Sequence, residues 1–82
     1  MNATADKTID ILAEVTESDR VRTEPDLPLF DAGLLDSLGI VTLIARLLEE
    51  FGLDISPAEF EREDWATPAK IAADIERRVS RA

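Results

Sequence analysis

A fourteen-residue segment in the middle of the chain, Leu38 to Phe51, constrains the fold most because it carries apolar residues on two neighbouring helical faces. A surface helix of a small domain needs only one such face. The segment therefore predicts a helix that either lies at the centre of the domain or presents its second face to a partner. We favour the partner, because 82 residues offer little protein to surround a central helix. The core face comprises Ile40, Leu43, Leu47 and Phe51, broadened by Ile44, and the second face comprises Leu38, Val41, Ala45 and Leu48.

The start of this helix is marked by Asp36 and Ser37. Asp36 is expected to be the N-cap, which places Ser37 in the first turn. Backbone N–H groups there have no partner within the helix and lie at the positive end of the helix dipole. Because a hydroxyl in that position is well placed to carry a phosphodiester, we predict that Ser37 carries a prosthetic arm. Gly39 either allows something to approach the backbone or is a tolerated first-turn glycine, and the sequence does not separate the two.

A first helix and a long connection precede this segment. Residues 4–17 are predicted to be helical, with Thr4 as the N-cap. Residues 18–35 form the connection, because Pro25 and Pro28 break helical continuity. We expect the apolar residues of the connection to hold it against the helices. In the first helix the predicted core stripe is Ile9, Leu12, Ala13 and Thr16, widened by Ile11 and Val15, and in the connection the apolar residues are Val21, Leu27, Leu29, Phe30, Leu34 and Leu35.

Two capping signals follow the central helix. Ser56, Pro57 and Glu59 form a capping-box pattern that begins a short third helix of one or two turns. Thr67 and Pro68 repeat the signal for the last helix. The prediction is therefore an all-α fold of four helices in a single domain, residues 1–82, with a short third helix and a long first connection. Phe60 and Trp65 are expected to anchor the third helix, and the stripe of the last helix is Ile71, Ala72, Ile75 and Val79.

The composition excludes several classes of function. The chain has no cysteine and no histidine, so it offers no thiolate, no imidazole base and no usual zinc ligand, and we expect neither a metal site nor an enzyme. The net charge of −9 disfavours nucleic acid as a partner. Residues 67–82 carry four basic against two acidic residues, so the other 66 residues carry −11 and the acidity surrounds Ser37. The chain has no signal-peptide pattern and no segment that could insert into a membrane, so we expect a cytoplasmic protein.

The residues Leu29 to Gly39 resemble the attachment region of acyl and peptidyl carrier proteins, whose shared core is Asp-Ser-Leu, here Asp36-Ser37-Leu38. Glu59 to Thr67 is similar to the stretch of D-alanyl carrier proteins, which are stand-alone aminoacyl carriers, in which an acidic pair and a tryptophan precede the last helix. The resemblance covers roughly residues 27–75. It implies the acyl-carrier four-helix bundle.

The resemblance also implies a cofactor and partners. A phosphopantetheinyl transferase would attach 4′-phosphopantetheine covalently to Ser37, and Asp36 would help to seat that transferase and its magnesium ion. An ATP-dependent adenylating ligase would load an amino acid onto the arm as a thioester, and a downstream acyl or aminoacyl transferase would take it. The carrier itself would be monomeric and would catalyse nothing. The implied partner surface comprises the apolar residues Leu38, Val41 and Ala45 and the acidic residues Glu49 and Glu50.

Several alternatives stay open at this point. Thr42 stands where many fatty-acid carriers have an acidic residue, and Arg46 adds a positive charge, so both disfavour a fatty-acid synthase carrier. The cargo could be D-alanine for teichoic acid or an amino acid for natural-product assembly. The alanine- and arginine-rich composition mildly favours natural-product assembly. A fatty-acid or polyketide carrier and a cofactor-free helical adaptor are the other interpretations. We interpret Trp65 as a core anchor rather than a ligase contact, and Asp31 as a turn residue.

Overall fold

The computed structural model describes residues 3–56, 58 and 61–81, and these residues form helices with no strand among them. Helix α1 spans Ala3–Thr16, α2 Arg20–Thr23, α3 Ser37–Phe51 and α4 Pro68–Arg81. A short 3-10 helix, Arg62–Trp65, precedes α4. Helix α1 packs against both α3 and α4, so the predicted all-α bundle is confirmed. None of the helices in the described ranges has the length and apolar character that a membrane span requires.

Helix α1 turns a slightly different face to the core than the sequence predicted. Ile11 and Leu12 are fully buried, whereas Ile9 is only half-buried. Thr8 is also fully buried, and its hydroxyl donates to the carbonyl of Thr4 at 2.8 Å. The prediction that Thr4 is the N-cap is wrong, because the helix already begins at Ala3. A threonine that bonds the carbonyl four residues back satisfies its own hydroxyl, which allows it to face an apolar core.

The long connection is held to the rest of the bundle as expected. Its residues Val21, Leu27, Leu29 and Leu35 are buried in the same core as the helices. The backbone N–H of Leu29 donates to the carbonyl of Ala66 at 2.9 Å. The connection also contains the one-turn helix α2, which the sequence analysis did not predict. These contacts fix the segment that leads into α3.

The predicted cap of α4 is confirmed, whereas the short helix that the structure describes, Arg62–Trp65, begins after Glu61 rather than after Ser56. Ser56 Oγ accepts a hydrogen bond from the N–H of Ala58 at 3.3 Å. Thr67 Oγ1 accepts one from the N–H of Lys70 at 3.2 Å, which confirms Thr67 as the cap of α4. Trp65 is fully buried, so its interpretation as a core anchor is confirmed. Three residues of the predicted third helix lie outside the described residues: Pro57, Glu59 and Phe60.

Candidate functional site

The first turn of α3 is organised by the side chain of Asp36. Asp36 has an extended backbone, with φ −134° and ψ −173°, and its Oδ1 accepts a hydrogen bond from the N–H of Gly39 at 2.8 Å. This geometry confirms Asp36 as the N-cap. The first helical residue is therefore Ser37, which confirms its predicted place in the first turn of the helix that ends at Phe51.

Ser37 is exposed to solvent at the positive end of the α3 dipole. The next exposed residue along the helix is Leu38, so the hydroxyl is approached over an open surface rather than through a channel. The far end of α3 is closed by Gly52, whose φ of +69° is the left-handed conformation typical of a helix C-terminus. The chain thus presents one accessible hydroxyl at the tip of a well-capped helix, in a position where helix N–H groups favour a bound phosphate.

Gly39 is explained by the packing of the chain itself. A Cβ atom at this position would lie 3.1 Å from Cδ1 of Leu35 and 3.4 Å from Oδ1 of Asp36. Leu35 is buried, so it has little freedom to move away. The glycine therefore makes room for a core leucine and for the capping carboxylate. Of the two interpretations drawn from the sequence, close approach to the backbone is the better one, and the approaching group is a side chain of this protein.

Helix α3 leaves its second apolar face open to solvent. Leu38 is 75%, Val41 54% and Leu48 50% exposed, and Ala45 is exposed beside them. The first face is buried instead, with Ile40, Leu43 and Leu47 in the core. The helix is therefore not surrounded by its own domain. An apolar line that begins next to Ser37 and follows the helix is the surface that the partner interpretation requires.

The two acidic residues at the end of α3 have different surroundings. Glu50 lies 3.6 Å from Nζ of Lys7 and 3.9 Å from Arg46, and Arg46 also pairs with Glu14 of α1. The hydrogen bond to Glu14 raises the pKa of Arg46 above its ordinary value. Glu49 is exposed and has no ion pair within 4.0 Å among residues 3–56, 58 and 61–81. Glu50 is thus partly used to join α1 to α3, whereas Glu49 makes no such ion pair, although its charge also helps to raise the pKa of Arg46.

A groove of about 340 Å³ lies beside Ser37, between the end of α1 and the start of α3. Asp36 and Leu38, the two neighbours of Ser37, both line it. The groove has no local sequence signature, because its α1 wall lies about twenty residues from Ser37 along the chain. Its walls include Val15, Thr16 and Glu17 from the α1 side and Leu34, Leu38 and Thr42 from the other side.

Glu17, in the wall of this groove, has an unusual backbone. Its φ is +55°, and it is the one non-glycine residue with positive φ in the part of the chain that the structure describes. The N–H of the next residue, Ser18, donates to the carbonyl of Ala13 at 3.2 Å and so closes α1. Glycine is the usual residue at this position of a helix end. Glu17 therefore occupies a conformation that its side chain disfavours.

Comparison with known proteins gives one family and several relatives. The family model described as "Phosphopantetheine attachment site" matches residues 6–75. The D-alanyl carrier protein of Lacticaseibacillus rhamnosus is 50% identical over 68 residues, which cover 83% of this chain and 84% of that protein. D-alanyl carrier protein 1 of Lactiplantibacillus plantarum is 42% identical over 76 residues, covering 93% and 94%. The D-alanyl carrier protein of Bacillus velezensis is 43% identical over 63 residues, covering 77% and 81%.

Proposed function

The chain belongs to the phosphopantetheine attachment-site family and is a carrier protein with a covalent 4′-phosphopantetheine arm, and we propose that Ser37 is the residue that holds the arm. The observation that carries this proposal is the exposed Ser37 hydroxyl at the first residue of α3, directly after the capping Asp36. The matched residues 6–75 include this turn. The positive end of a helix dipole suits the negative charge of a phosphodiester.

The attachment step needs a phosphopantetheinyl transferase and coenzyme A. The Ser37 oxygen forms a bond to the phosphorus that bears pantetheine, and the pyrophosphate bond of coenzyme A breaks. The nucleotide half of coenzyme A leaves as 3′,5′-adenosine diphosphate, and the hydroxyl proton goes to a base. One oxygen of Asp36 already caps α3, and the other helps to seat the magnesium ion of the transferase. Since Ser37 is exposed, the transferase reaches it without any opening of the fold.

The arm supplies a thiol that carries cargo as a thioester, which a cysteine-free chain cannot supply by itself. The cargo we propose is D-alanine, loaded by an ATP-dependent adenylating ligase and passed to a downstream transferase. Support comes from the relatives named D-alanyl carrier proteins, which are 42 to 50% identical to this chain. The 82 residues act as one monomeric cytoplasmic domain that presents the cargo to these enzymes at high local concentration.

The exposed face of α3 is the docking surface for these enzymes. Leu38, Val41 and Ala45 supply the apolar contact area, since they lie on the same open face as Ser37. Glu49 supplies an acidic charge that speeds the approach of a basic partner. Glu50 adds to the same negative field, although its ion pairs with Lys7 and Arg46 reduce its contribution.

Attachment is tested by incubating the protein with coenzyme A and a broad-specificity phosphopantetheinyl transferase, followed by intact-mass measurement. The wild-type protein should gain one phosphopantetheine, and Ser37→Ala should gain none. Ser80→Ala is the matched control, because Ser80 is also exposed but lies near the end of α4, and this variant should be modified like the wild type. An arm that still attaches to Ser37→Ala, or a wild-type protein that is never modified, would overturn the proposal.

Cargo is tested on the modified protein with ATP and a D-alanine-adenylating ligase. In separate reactions, D-alanine should be loaded to a greater extent than L-alanine. Loading is measured as the added mass of the protein, and this added mass should disappear after thioester cleavage. A parallel reaction supplies malonyl-coenzyme A and a malonyl transferase. Loading with malonate and with no amino acid would place the chain among fatty-acid or polyketide carriers.

A further inference from the structure

We propose that the groove beside Ser37 holds the loaded arm and that the Glu17 carboxylate accepts the α-ammonium group of the cargo. This inference rests on the proposed function, because it assumes an aminoacyl arm on Ser37. It adds a residue from the end of α1 to the cargo site. The groove would thereby distinguish an aminoacyl group from an acyl group without an amine.

The position of the groove suits an arm that begins at Ser37. Asp36 and Leu38, the sequence neighbours of Ser37, line the groove although Ser37 itself does not, so an arm on the Ser37 hydroxyl would begin outside the groove and bend into it. Val15, Leu34 and Leu38 contribute apolar patches to a groove whose lining is otherwise mostly polar. The apolar patches suit the methyl groups of a pantetheine chain, and the polar surface suits its amide groups. The groove is open to one side, which lets the arm leave again toward an enzyme.

The charge of the groove selects the cargo. Its described lining contains two carboxylates, Glu17 and Asp36, and none of the lysines or arginines of the chain. Asp36 is already bonded to the N–H of Gly39, so Glu17 is the more available acid. An α-aminoacyl thioester carries an ammonium group near neutral pH, and a nearby carboxylate favours its charged form. A fatty acyl group has no ammonium group and therefore forms no ion pair with this carboxylate.

The backbone at Glu17 gives a second reason to test its side chain. With φ at +55° at the end of α1, glycine or asparagine would be less strained at this position. The sequence instead places a carboxylate there, exposed and in the wall of the groove. The same backbone also closes α1, so the strain by itself does not assign a role, but a strained residue in the wall of the groove motivates a test of its side chain.

The experiment uses two stable arms that differ only in the amine. The transferase attaches alanyl-amide and propionyl-amide analogues of phosphopantetheine to Ser37, and intact mass verifies both. Backbone NMR then reports the amide shifts of Glu17, Leu34 and Gly39, and a pH titration of the labelled alanyl group reports the pKa of its ammonium. The alanyl arm should shift these amides more than the propionyl arm does.

Substitution at Glu17 then tests the contact itself. In Glu17→Gln the alanyl shifts should fall to the propionyl level, and the ammonium pKa should drop by roughly half a unit, as expected for the loss of an exposed ion pair. Asp54→Asn is the matched control, because it also converts an exposed carboxylate to an amide but lies outside the groove lining, and it should change neither quantity.

The outcomes separate this inference from the proposed function. If no arm is attached at Ser37, the proposed function fails. If the arm is attached but both analogues give the same amide shifts, or Glu17→Gln leaves the shifts and the ammonium pKa unchanged, only the role of the groove is overturned.

Discussion

The indole Nε1 of Trp65 donates a hydrogen bond to Oδ2 of Asp74 at 2.9 Å and so joins the 3-10 helix to α4. Trp65 is fully buried, and the side chain of Asp74 is only 14% exposed. Arg78 donates to the same oxygen at 3.0 Å, and Arg77 donates to Oδ1 at 3.1 Å. The carboxylate thereby satisfies the one polar atom of a buried tryptophan side chain, which would otherwise be costly to bury.

This network predicts how stability depends on pH. Burial raises the pKa of Asp74, but hydrogen bonds from Trp65 and Arg78 and the charges of Arg78 and Arg77 lower it more, so the pKa lies below its ordinary value. The folded state therefore favours the ionised carboxylate. The stability it contributes is fully present above the unfolded pKa of about 3.9 and is lost as the pH falls through the lower folded value.

We expect Asp74→Asn to lower the free energy of unfolding by about 1.5 to 3 kcal/mol at pH 7, as for a lost hydrogen bond to a charged group. The difference from wild type should shrink below about pH 4 as the wild-type carboxylate becomes protonated. Urea unfolding at pH 7 and at pH 3 measures both quantities, with Asp54→Asn as the exposed control. A difference that stays constant between these pH values would show that the charge of Asp74 is unimportant.

Gly39→Ala should not give the stabilisation that helix propensity alone predicts. Alanine is favoured over glycine in a helix by about 1 kcal/mol. Here the new Cβ would lie 3.1 Å from the Leu35 side chain, so we expect crowding to cancel or exceed that gain. A double-mutant cycle with Leu35→Ala checks the cause, because removing the crowding side chain should restore the gain. Stabilisation by Gly39→Ala in the wild-type background would count against this explanation.

Glu49→Gln should mainly slow loading by the ligase, whereas Glu50→Gln should mainly lower the stability of the fold. Glu50 pairs with Lys7 and Arg46, so Glu50→Gln should cost roughly 0.2 to 1 kcal/mol of stability. Glu49→Gln should affect stability less, because Glu49 acts on Arg46 only through its charge and has no ion pair within 4.0 Å among the described residues, and it should slow loading by the ligase, chiefly at low salt. Thermal unfolding and loading rates at two salt concentrations separate the two effects. Equal loading defects in both variants would contradict this prediction, because they would mean that Glu50 contributes to ligase binding as much as Glu49 does despite its ion pairs.

The sequence predicted what depends on neighbouring residues and missed what depends on packing between distant ones. Asp36 and Thr67 were assignable because a cap acts within four residues of itself. Helix α2 was not, since a single turn of four residues is too short to show a periodic pattern.

The missed features of the site also depend on contacts across the bundle. The pair between Arg46 and Glu14 and the groove wall at Glu17 both arise where α1 lies beside α3, and no local motif records that contact. Thr8 was missed for a related reason. A threonine is normally expected at the surface, and its residue type does not reveal that its hydroxyl bonds within α1 and can therefore face the core.

Glu17→Gly should stabilise the fold while removing the proposed cargo contact. A non-glycine residue in the left-handed conformation costs about 1 to 2 kcal/mol, and glycine removes that cost. Glycine also gives the unfolded chain more conformational freedom, which offsets roughly 0.5 to 1 kcal/mol of the gain. The net expectation is a gain of about 0.5 to 1 kcal/mol in the free energy of unfolding, measured by urea denaturation. Glu14→Gly, inside α1, is the control and should destabilise, because glycine disfavours a helix interior. A loss of stability in Glu17→Gly would mean that the glutamate side chain supports the end of α1, and the backbone would then no longer argue for a role in holding cargo.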